Sequence, residues 1–437
     1  MTTATSTPPG RIAVVLGTRP EIIKLAPVIR ELGRRAWVIH TGQHYDANLA
    51  DDCYTGAGLR APETVLTGVG GRTRTQQIAV SLGQLDDLFT AERPAAVIVQ
   101  GDTNSTNAGA QAASYHGIPL IHVEAGLRSH DRAMPEELNR LLVGALADLH
   151  CAATDHNVQN LRAEGVPAER IVLTGNTIVP SVERMLERWA PAIAGRQWMA
   201  GDFVLATIHR PENTDDPARL EVILDQLARI GLPVLLPLHP RTRALLARHR
   251  LEHLSDPLTV TGPLGHAEFL AAASGCVLLV SDSGGLQEEC TVLKKPLIVV
   301  RNSTERPESV DAGFAHLVPP GPGISVVAQR LLADSGLPQR LRATASPYGD
   351  RRAAEHIVAA TMRLIGAGQG EPMESGVRHR GDVERLIEHL GGDLAPLDVP
   401  EVLDGLPDRD ALGHRVLGDL RGRLVPDVPV QRGDDRG

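Results

Sequence analysis

The segment Arg11–Lys24 reads RIAVVLGTRPEIIK, and it decides how the rest of the chain is interpreted. Ile12–Leu16 is a continuous apolar run, which is typical of a strand buried on both faces of a parallel sheet. Gly17 then permits a tight turn, and Pro20 suits the first position of a helix. The segment therefore predicts a β-strand that leads directly into an α-helix.

Two cations lie near the start of this helix, Arg19 in the strand-to-helix loop and Lys24 about one turn later. A helix N-terminus presents free N–H groups to anions, so the pair suits a diphosphate. An ordinary loop with solvated cations has the same spacing, and the segment alone leaves both interpretations open. The loop contains neither GxxxxGK[ST] nor GxGxxG, which disfavours ATPases and NAD-dependent oxidoreductases. We therefore expect no dinucleotide cofactor at this loop.

The same alternation of short Val- and Ile-rich runs with helical patterns continues along the chain. Strands interleaved with helices indicate βαβ units and a parallel sheet. The predicted strands are Ile12–Leu16, Ala36–His40, Ala95–Gln100, Leu120–Val123, Ile171–Leu173, Phe203–Ile208, Val234–Leu238, Leu258–Thr261, Val277–Val280 and Pro296–Val300. Because they form two sets, we expect an α/β protein with two doubly wound, Rossmann-like domains.

The domain limits follow from changes in composition along the chain. We predict a disordered lead-in at 1–10, an N-terminal domain at 11–177, a C-terminal domain at 178–346, a helix at 347–366 and a partly ordered tail at 367–437. The tail carries repeated Gly, Pro, Asp and Arg with only short apolar patterns. Its role does not follow from the sequence.

The composition excludes several functional classes. Aromatic residues make up 3% of the 437 residues, which argues against base-stacking platforms for single-stranded nucleic acid. The net charge of −9 gives no basic face for a phosphate backbone. The four cysteines form no CxxC pair, as in a protein of a reducing compartment. Neither a signal peptide nor a run of ~20 apolar residues is evident, so we expect a cytoplasmic protein.

Carboxylates follow two strands of the first set. Asp102 comes directly after the third run and Glu124 directly after the fourth, and Glu136 and Glu137 come soon afterwards. Ligands bind beyond the carboxyl ends of parallel strands, so we expect Asp102, Glu124 and one of Glu136 and Glu137 in one crevice. A single carboxylate there is more often a helix cap or a loop ion pair. Crowded carboxylates cannot all ionise, so at least one pKa should rise.

Strands of the second set end in residues that suit phosphate and ribose groups. His209 and His239 each follow a strand, where a histidine can cap a loop, act as a general acid or donate to a phosphate. Ser283-Gly284-Gly285 at a helix start presents backbone N–H groups with no side chain in the way. Glu289 suits ribose hydroxyls, and Arg306 offers a planar guanidinium to phosphates.

One further motif, HRLEH at 249–253, spells the H-x-x-E-H pattern of some zinc peptidases. Two histidines four residues apart on a helix can share a metal ion. No third ligand is evident nearby, and the segment continues a basic helical pattern. We interpret it as a solvated helix face and expect no metal.

Taken together, the motifs closely resemble those of the non-hydrolysing UDP-N-acetylglucosamine 2-epimerases, in the order found in that family. They are GTRPEIIKLAPVI (17–29), GDTNST (101–106), HVEAGLR (122–128), MPEELNR (134–140), TGNT (174–177), HRPEN (209–213), SDSGGLQEE (281–289) and RNSTERPE (301–308). The resemblance implies the two-Rossmann-domain arrangement of GT-B glycosyltransferases, with the active site in the cleft between the domains. It also implies a last helix that crosses back to the first domain, a homodimer, and no need for NAD or metal.

The family reaction is the reversible conversion of UDP-N-acetylglucosamine to UDP-N-acetylmannosamine. It proceeds by anti-elimination of UDP to 2-acetamidoglucal and re-addition of UDP. Carboxylates must exchange the C2 proton on both faces, and a positive pocket must stabilise the departing UDP. By resemblance, the catalytic residues are Lys24, Asp102, Glu124, Glu136 and His209. The UDP-binding residues are Arg19, His239, Ser283, Gly284, Gly285, Glu289 and Arg306.

Several alternatives stay open at this stage. HRPEN at 209–213 replaces the HRRE form of many bacterial members, so activation by a second substrate molecule near Gln43 and His44 is undecided. The substrate can instead be a related UDP-diacetamido sugar or uronate, and a hydrolysing epimerase would share the same motifs. A GT-B glycosyltransferase would not need the carboxylate cluster. An inactive nucleotide-sugar sensor would not need Lys24 or His209.

Overall fold

The computed structural model describes residues 10–43, 53–193, 201–238 and 240–367, with the backbone alone at 189–193 and at 367. All of these residues belong to one compact unit, residues 1–370. The predicted lead-in and the predicted tail lie almost entirely outside the described residues, so both stay predictions.

The first sheet has seven parallel strands in the order β3-β2-β1-β4-β5-β6-β7. Its strands are β1 Ile12–Leu16, β2 Ala36–His40, β3 Thr64–Val65, β4 Ala96–Gln100, β5 Leu120–Ala125, β6 Leu149–Ala152 and β7 Ile171–Leu173. The strands β1 and β4 are fully buried, as the continuous apolar runs predict.

The second sheet has six parallel strands in the order β10-β9-β8-β11-β12-β13. Its strands are β8 Val204–Thr207, β9 Val234–Pro237, β10 Thr259–Thr261, β11 Leu278–Ser281, β12 Leu297–Val300 and β13 Ala315–Val318. The two sheets confirm the predicted α/β class with two doubly wound layers. All ten predicted strands are present, and β3, β6 and β13 are additional.

The three additional strands lack the signal on which the prediction depends. Strand β3 has only two residues, Thr64 and Val65. The strands β6 and β13 are four residues long and contain His150 and His316, which interrupt the apolar run. Pairing with a neighbouring strand, rather than local composition, makes these segments extended.

Helices connect the strands and cover both sheets. They are α1 Arg19–Leu32, α2 Arg74–Ala91, α3 Asn104–Tyr115, α4 Pro135–Leu146, α5 Asp155–Ala163, α6 Ile178–Ile193, α7 Pro211–Thr214, α8 Pro217–Ala228, α9 Pro240–His249, α10 His266–Gly275, α11 Gly284–Leu293, α12 Pro307–Asp311, α13 Gly323–Ala333, α14 Leu337–Ala343 and α15 Ala353–Ala367. Pro20 occupies the first turn of α1, where its missing N–H costs no hydrogen bond.

The last described helix packs on the first sheet. In α15, Ala354, Ile357 and Ala360 are buried in the same core cluster as the apolar residues of β1, and α15 lies against α1. The chain therefore builds the second sheet and then returns to the first. The domain limits at 177 and 346 stay predictions.

Both sheets change winding direction beside their first strand. Strand β1 lies between β2 and β4, and β8 lies between β9 and β11. The connections on the two sides of such a strand run in opposite directions and leave a crevice at its carboxyl end. The loops after β1 and β4, and after β8 and β11, are therefore where the fold makes room for a ligand.

Candidate active site

A cavity of about 650 Å³ lies where the loops at the carboxyl ends of the two sheets meet. Residues after β1, β4 and β5 line it from the first sheet, and residues after β8, β11 and β12 line it from the second. Its lining includes Arg19, Lys24, Asp102, Glu124, Glu136, His209, Ser283, Gly284, Gly285, Glu289 and Arg306. The twelfth predicted site residue, His239, lies outside the described residues.

Glu124 has an unusual backbone conformation. Its φ of 63° is left-handed, a region that side-chain-bearing residues rarely adopt. The register between β5 and β6 shifts between Val123 and Ala125, so Glu124 occupies a β-bulge. Bulges re-aim side chains, and backbone strain of this kind concentrates at functional sites. The bulge accounts for a carboxylate that faces the cavity from the end of a buried strand.

A buried network of charges crosses the cavity floor from one sheet to the other. Lys24 Nζ lies 2.6 Å from Glu124 Oε2 and 2.7 Å from Glu288 Oε2. Arg306 Nε lies 2.7 Å from Glu288 Oε1, and Arg306 Nη2 lies 3.7 Å from Glu124 Oε1. These four residues are each at most 8% exposed. The pairs Lys24–Glu288 and Arg306–Glu124 each join one sheet to the other.

The two carboxyl groups of this network differ in their pKa. Burial raises the pKa of Glu124, and the negative charge of Glu288 adds to the rise, although Lys24 and Arg306 oppose it. Burial also opposes the charge on Glu288, but Lys24 and Arg306 outweigh it and hold the pKa of Glu288 below its ordinary value. Of the two carboxyl groups, Glu124 therefore holds a proton to the higher pH. The sequence predicts a raised carboxyl pKa; the structure finds it at Glu124, with burial as the main cause.

Asp102 is held by residues of α4. Arg140 donates from Nε at 2.8 Å and from Nη2 at 2.6 Å to Asp102 Oδ2, and Asn139 donates at 2.8 Å to the carbonyl of Asp102. Glu137 Oε2 in turn accepts from Arg140 Nη1 at 2.8 Å. Of the two adjacent carboxylates, Glu136 lines the cavity with a side chain that is 44% exposed, and Glu137 is buried behind it.

Glu21 joins the first two loops of the site. Its Oε2 accepts from Gly17 N at 3.0 Å and Thr18 Oγ1 at 2.8 Å, and its Oε1 accepts from Thr103 Oγ1 at 2.8 Å and Thr106 Oγ1 at 3.2 Å. Burial raises the pKa of Glu21 to about 7, against the four hydrogen bonds that favour the carboxylate. The loop of Arg19 and the loop of Asp102 are therefore fixed by one side chain.

Gly17 lies in the short turn between β1 and α1, as predicted, and it also allows close packing there. Its φ is not in the left-handed region, and a Cβ atom there would overlap the hydroxyls of Thr41 and Ser105. Gln43 belongs to the same buried layer, since its Oε1 accepts from Ser105 N and from Ser105 Oγ, both at 2.9 Å. His44 lies outside the described residues, so the question of a second substrate site stays open.

His209 follows β8 and is held by a buried aspartate. Its Nδ1 lies 3.1 Å from Asp282 Oδ1, and Asp282 Oδ2 accepts from the backbone N–H of His209 and Arg210 at 3.1 and 3.0 Å and from Asn213 Nδ2 at 3.1 Å. Burial opposes the charge, but these hydrogen bonds hold the pKa of Asp282 below its ordinary value. A carboxylate on Nδ1 fixes the imidazole and leaves Nε2 for a ligand in the cavity.

The helix α11 begins at Gly284, directly after Ser283 at the N-cap. Its first N–H groups have no intrahelical acceptor and suit an anion. A Cβ atom on Gly284 would lie 2.9 Å from Arg306 Nη1, so the glycine lets this guanidinium approach the start of the helix. Further along α11, Glu289 Oε1 lies 3.0 Å from His266 Nε2. The predicted helix start at Ser283-Gly284-Gly285 is present, and its binding of phosphate stays a prediction. His266 holds Glu289, the carboxylate that is predicted to meet ribose.

The HRLEH motif does not lie on one helix. The helix α9 ends at His249, Arg250 has a left-handed φ of 58°, and Glu252–Ser255 forms a separate 3-10 turn. The expected continuation of a basic helix through His253 is therefore wrong, because the helix ends at His249 and Arg250 has a left-handed backbone conformation. Within the described ranges, no group of three or more His, Cys, Asp or Glu side chains is placed to hold a metal ion.

Several residues of the site escape sequence reasoning. Each of them contacts a predicted site residue: Gln100 donates at 2.8 Å to Glu124, and Arg140 pairs with Asp102. Asp282 pairs with His209, and His266 pairs with Glu289. Glu288 lies between Lys24 and Arg306. Asp282 and Glu288 belong to the motif SDSGGLQEE at 281–289, so this motif was the sequence signal from which both could have been predicted as site residues. The sequence does not show which of Glu288 and Glu289 faces the cations, because that depends on the rotation of α11.

The chain matches a known protein family over most of its length. A family model described as UDP-N-acetylglucosamine 2-epimerase matches residues 30–362, well over half of the chain. The chain belongs to the UDP-N-acetylglucosamine 2-epimerase family. The resemblance that the motifs predict is thereby confirmed.

Individual members of the family match over nearly their whole length. The UDP-N-acetylglucosamine 2-epimerase of Methanocaldococcus jannaschii is 35% identical over 80% of this chain and 98% of its own length. A UDP-2,3-diacetamido-2,3-dideoxy-D-glucuronate 2-epimerase of Pseudomonas aeruginosa is also 35% identical, over 81% of this chain and all of its own length.

A solved structure of the M. jannaschii epimerase, in complex with UDP-GlcNAc and UDP, superposes with a TM-score of 0.72 at 34% identity. It covers 81% of this chain and 99% of the other. The GT-B-like arrangement of two Rossmann-like sheets is confirmed. No helix among the described residues is long and apolar enough to span a membrane.

Proposed function

We propose that this member of the epimerase family catalyses the reversible C2 epimerisation of UDP-N-acetylglucosamine to UDP-N-acetylmannosamine. One observation carries the proposal: carboxyl groups from the first sheet and a glycine-rich helix start from the second sheet face the same cavity. An elimination needs both a group that exchanges a proton at carbon and a pocket for an anionic leaving group. The two sheets supply one each.

The second sheet supplies the leaving-group pocket. The N–H groups at Gly284 and Gly285 receive the diphosphate, and Arg306 adds a guanidinium beside them. The N–H of Ser283 itself donates to Ser281 Oγ at 2.9 Å. His209, fixed by Asp282, presents Nε2 to the same region. Together they stabilise the charge that develops on UDP as the bond between C1 and oxygen breaks.

The first sheet supplies the groups that exchange the proton. A carboxylate takes the proton from C2 while UDP leaves C1 with the bonding electrons, and a double bond forms between C1 and C2. A carboxyl group then donates a proton to the opposite face of C2, and the β-phosphate oxygen of UDP re-adds at C1. Asp102, which pairs with Arg140 at 2.6 Å, suits the basic role. Glu124, whose pKa is raised by burial, suits the acidic role.

Glu136 has a supporting place in this scheme. It lines the cavity with a half-exposed side chain, and Arg74 Nη2 lies 3.9 Å from its carboxylate. Such an exposed carboxylate exchanges protons readily with solvent. We place it as the relay through which Asp102 and Glu124 exchange protons with solvent.

One alternative has a specific observation behind it. The P. aeruginosa relative, named for a diacetamido-glucuronate substrate, is as similar to this chain as the M. jannaschii relative. A uronate adds a carboxylate at C5, so it requires a cation that UDP-N-acetylglucosamine does not need. Turnover of the diacetamido uronate, in place of UDP-N-acetylglucosamine, would establish this alternative.

Proton NMR of the protein with UDP-N-acetylglucosamine in deuterated water tests the proposal. We expect UDP-N-acetylmannosamine to appear, with deuterium at C2 of both sugars. Free N-acetylmannosamine with accumulating UDP would establish a hydrolysing enzyme instead. Absence of any change would reject UDP-N-acetylglucosamine as the substrate and direct the same experiment to the diacetamido uronate.

We also propose that the protein is a homodimer that associates through α4. Leu138 and Leu142 lie one turn apart on this helix and are 40% and 53% exposed. Large apolar side chains exposed side by side are typical of an interface. Analytical ultracentrifugation should show a dimer, and Leu142→Glu should shift it toward monomer; a monomeric wild type would reject the proposal. A cytoplasmic location stays a prediction.

A further inference from the structure

Glu288 has no role in the scheme above, yet it lies in the middle of the charge network. It stands on α11, in the second sheet's layer, and is only 1% exposed. Each of its carboxylate oxygens meets a different cation, with Oε1 at 2.7 Å from Arg306 Nε and Oε2 at 2.7 Å from Lys24 Nζ. A carboxylate this deeply buried persists only if cations lie close to it. Arg306 donates a hydrogen bond to Oε1, whereas Oε2 accepts no hydrogen bond and faces Lys24 as an ion pair.

The same two cations are the ones that face Glu124. Lys24 Nζ is 2.6 Å from Glu124 Oε2, and Arg306 Nη2 is 3.7 Å from Glu124 Oε1. The other polar group at Glu124 is Gln100 on β4, whose Nε2 donates at 2.8 Å to Oε2. Glu124 and Glu288 are therefore two carboxyl groups that share one pair of cations.

We propose that Glu288 is a positioning residue that determines the charge on Glu124. By pairing with Lys24 and Arg306, it takes up the positive charge that would otherwise ionise Glu124. Its own negative charge also disfavours a second buried anion nearby. Glu124 thereby keeps a proton for C2, and it does so only when α11 of the second sheet lies against the end of β5.

The contacts of Arg306 agree with the proposal that the cations pair with Glu288 and leave Glu124 protonated. Arg306 Nη1 lies 2.6 Å from Glu305 Oε1, and Glu305 Oε2 lies 2.8 Å from Arg301 Nη1. Arg306 thus has two close carboxylates, Glu305 and Glu288, and a more distant one, Glu124. Of the three, Glu124 is the one with the longest contact to the guanidinium.

The charges of the cluster also suit a diphosphate. Lys24, Arg301 and Arg306 face Glu124, Glu288 and Glu305. With Glu124 protonated, three cations face two carboxylates and the cluster is positive overall; with Glu124 ionised, it is neutral. The protonated state that serves C2 is therefore also the state that attracts the phosphates. Tyr348 is a further titratable group that senses the charge of Glu288, and burial raises its pKa well above the ordinary value.

The catalytic part of this inference rests on the proposed epimerase function, but the charge on Glu124 can be measured without turnover. The first experiment is a pH titration of wild-type protein labelled with carboxyl-13C glutamate, in which Glu124→Gln assigns the Glu124 signal. We expect Glu124 to titrate above the ordinary range of glutamate. A Glu124 that is ionised at or below the ordinary pKa of glutamate would overturn the proposal.

The second experiment repeats the titration with Glu288→Gln. We expect the Glu124 titration to move to lower pH by about one unit, because Lys24 and Arg306 are left to Glu124 alone. The pH limb of kcat that reports Glu124 should move by the same amount and in the same direction, whether Glu124 acts as acid or base. A purely structural role for Glu288 would lower the yield of folded protein and leave this limb in place, which would reject the proposal.

The neighbouring residue supplies the matched control. Glu289 is the next residue on α11 but faces His266. Glu289→Gln should raise KM for the UDP-sugar and leave the Glu124 titration where it is; an equal shift in both variants would contradict the proposal. If Glu288→Gln does not fold, Glu288→Asp retains the charge and should titrate within about half a unit of wild type. A downward shift of a full unit in Glu288→Asp would count against the role of charge.

Failure of this inference and failure of the proposed function give different results. If wild type exchanges deuterium into C2 but Glu124 titrates normally, the inference fails and the function stands. If no UDP-sugar is turned over but Glu124 titrates high and responds to Glu288→Gln, the function fails and the charge relation stands.

Discussion

The loops at the carboxyl ends of the two sheets contain equally buried carboxyl groups whose pKa values move in opposite directions. At the first sheet, burial raises the pKa of Glu21 to about 7 and raises that of Glu124. At the second sheet, the pKa values of Asp282 and Glu288 are lowered, and that of Glu305 falls to about 2. The fold is the same at both places, so fold alone does not decide the direction.

The groups around each carboxyl group decide whether its pKa rises or falls. Glu21 is surrounded by three threonine hydroxyls and one backbone N–H, which do not fully replace the lost hydration. Glu305 instead faces Arg306 and Arg301, and Asp282 accepts from His209 and from backbone N–H groups. Neutral donors leave burial dominant at Glu21, and cations overcome burial at Glu305. At Glu124, burial together with the charge of Glu288 outweighs Lys24 and Arg306. Glu124 of the first sheet thus has a raised pKa, and Asp282, Glu288 and Glu305 of the second are fixed charges. Glu137 is an exception at the first sheet, since hydrogen bonds from Ser129, Arg140 and His130 outweigh burial and lower its pKa.

The largest expected effect comes from removing a proton-exchanging group of the first sheet. Asp102→Asn should lower kcat by about 10³-fold, the range for loss of a general acid or base, because an amide cannot take a proton from C2. UDP affinity, measured by calorimetry, should change little, since Asp102 is not among the predicted UDP-binding residues, most of which belong to the second sheet. Asp155→Asn, at an exposed site on the first turn of α5, is the control and should change neither quantity. Loss of UDP binding in Asp102→Asn would break the division between the sheets.

A smaller effect should appear in the dependence of stability on pH. The folded pKa of Glu21, about 7, lies above its ordinary value of 4.5, so its neutral form is favoured by folding. Its contribution is fully present below about pH 4.5 and is lost as pH rises through 7. Compared with Glu21→Gln, wild type should lose about 2 kcal/mol of unfolding free energy between pH 5 and pH 8. Urea unfolding at the two pH values measures the difference.

Asp282, at the second sheet, should give the opposite dependence of stability on pH. Asp282 has a lowered pKa, so its contribution is present above its ordinary pKa and is lost as pH falls through the folded value. Asp282→Asn should therefore be most destabilising near neutral pH and lose its effect under acid. If both variants showed the same pH dependence, the contrast between the two sheet ends would not hold.

A more modest effect is expected at the start of α11. Gly284→Ala places a methyl group 2.9 Å from Arg306 Nη1, so the guanidinium must move away from the phosphate cradle. KM for the UDP-sugar should rise by about tenfold, the effect of losing one charge-assisted hydrogen bond, with a smaller change in kcat. Gly336→Ala, which meets an arginine side chain at the exposed start of α14, is the control and should leave KM unchanged. A fall in kcat with KM constant would instead indicate that Gly284 supports proton exchange at C2 rather than the binding of UDP.

The smallest expected effect is that of ending the chain at Ala367. The described core is complete with α15, which packs on the first sheet, and the family match ends at residue 362. The shortened protein should therefore fold and retain wild-type kcat and KM. Circular dichroism and the NMR assay check this, and a folded but inactive product would give residues 368–437 a role in the reaction.

The sequence by itself determined the class of the fold and most of the site. Apolar runs such as Ile12–Leu16 specify strands buried on both faces, and this pattern is local enough to read from residue types. The rule that ligands bind beyond the carboxyl ends of such strands then selected Asp102, Glu124, His209 and Ser283-Gly284-Gly285, all of which line the cavity. The short strands β3, β6 and β13 were not predicted from the sequence, because pairing with neighbouring strands, and not their composition, makes them extended.

Only the tertiary structure decided how the selected groups are charged and held. Lys24 and Glu288 are 264 residues apart in sequence, yet their side chains meet at 2.7 Å, and this contact helps to decide which carboxyl group keeps the proton. The pairing of Arg140 with Asp102 and of Asp282 with His209 likewise joins distant segments. A residue's type states what it is able to do, but its pKa depends on burial and on charges a few ångströms away. Those are set by how the two sheets meet.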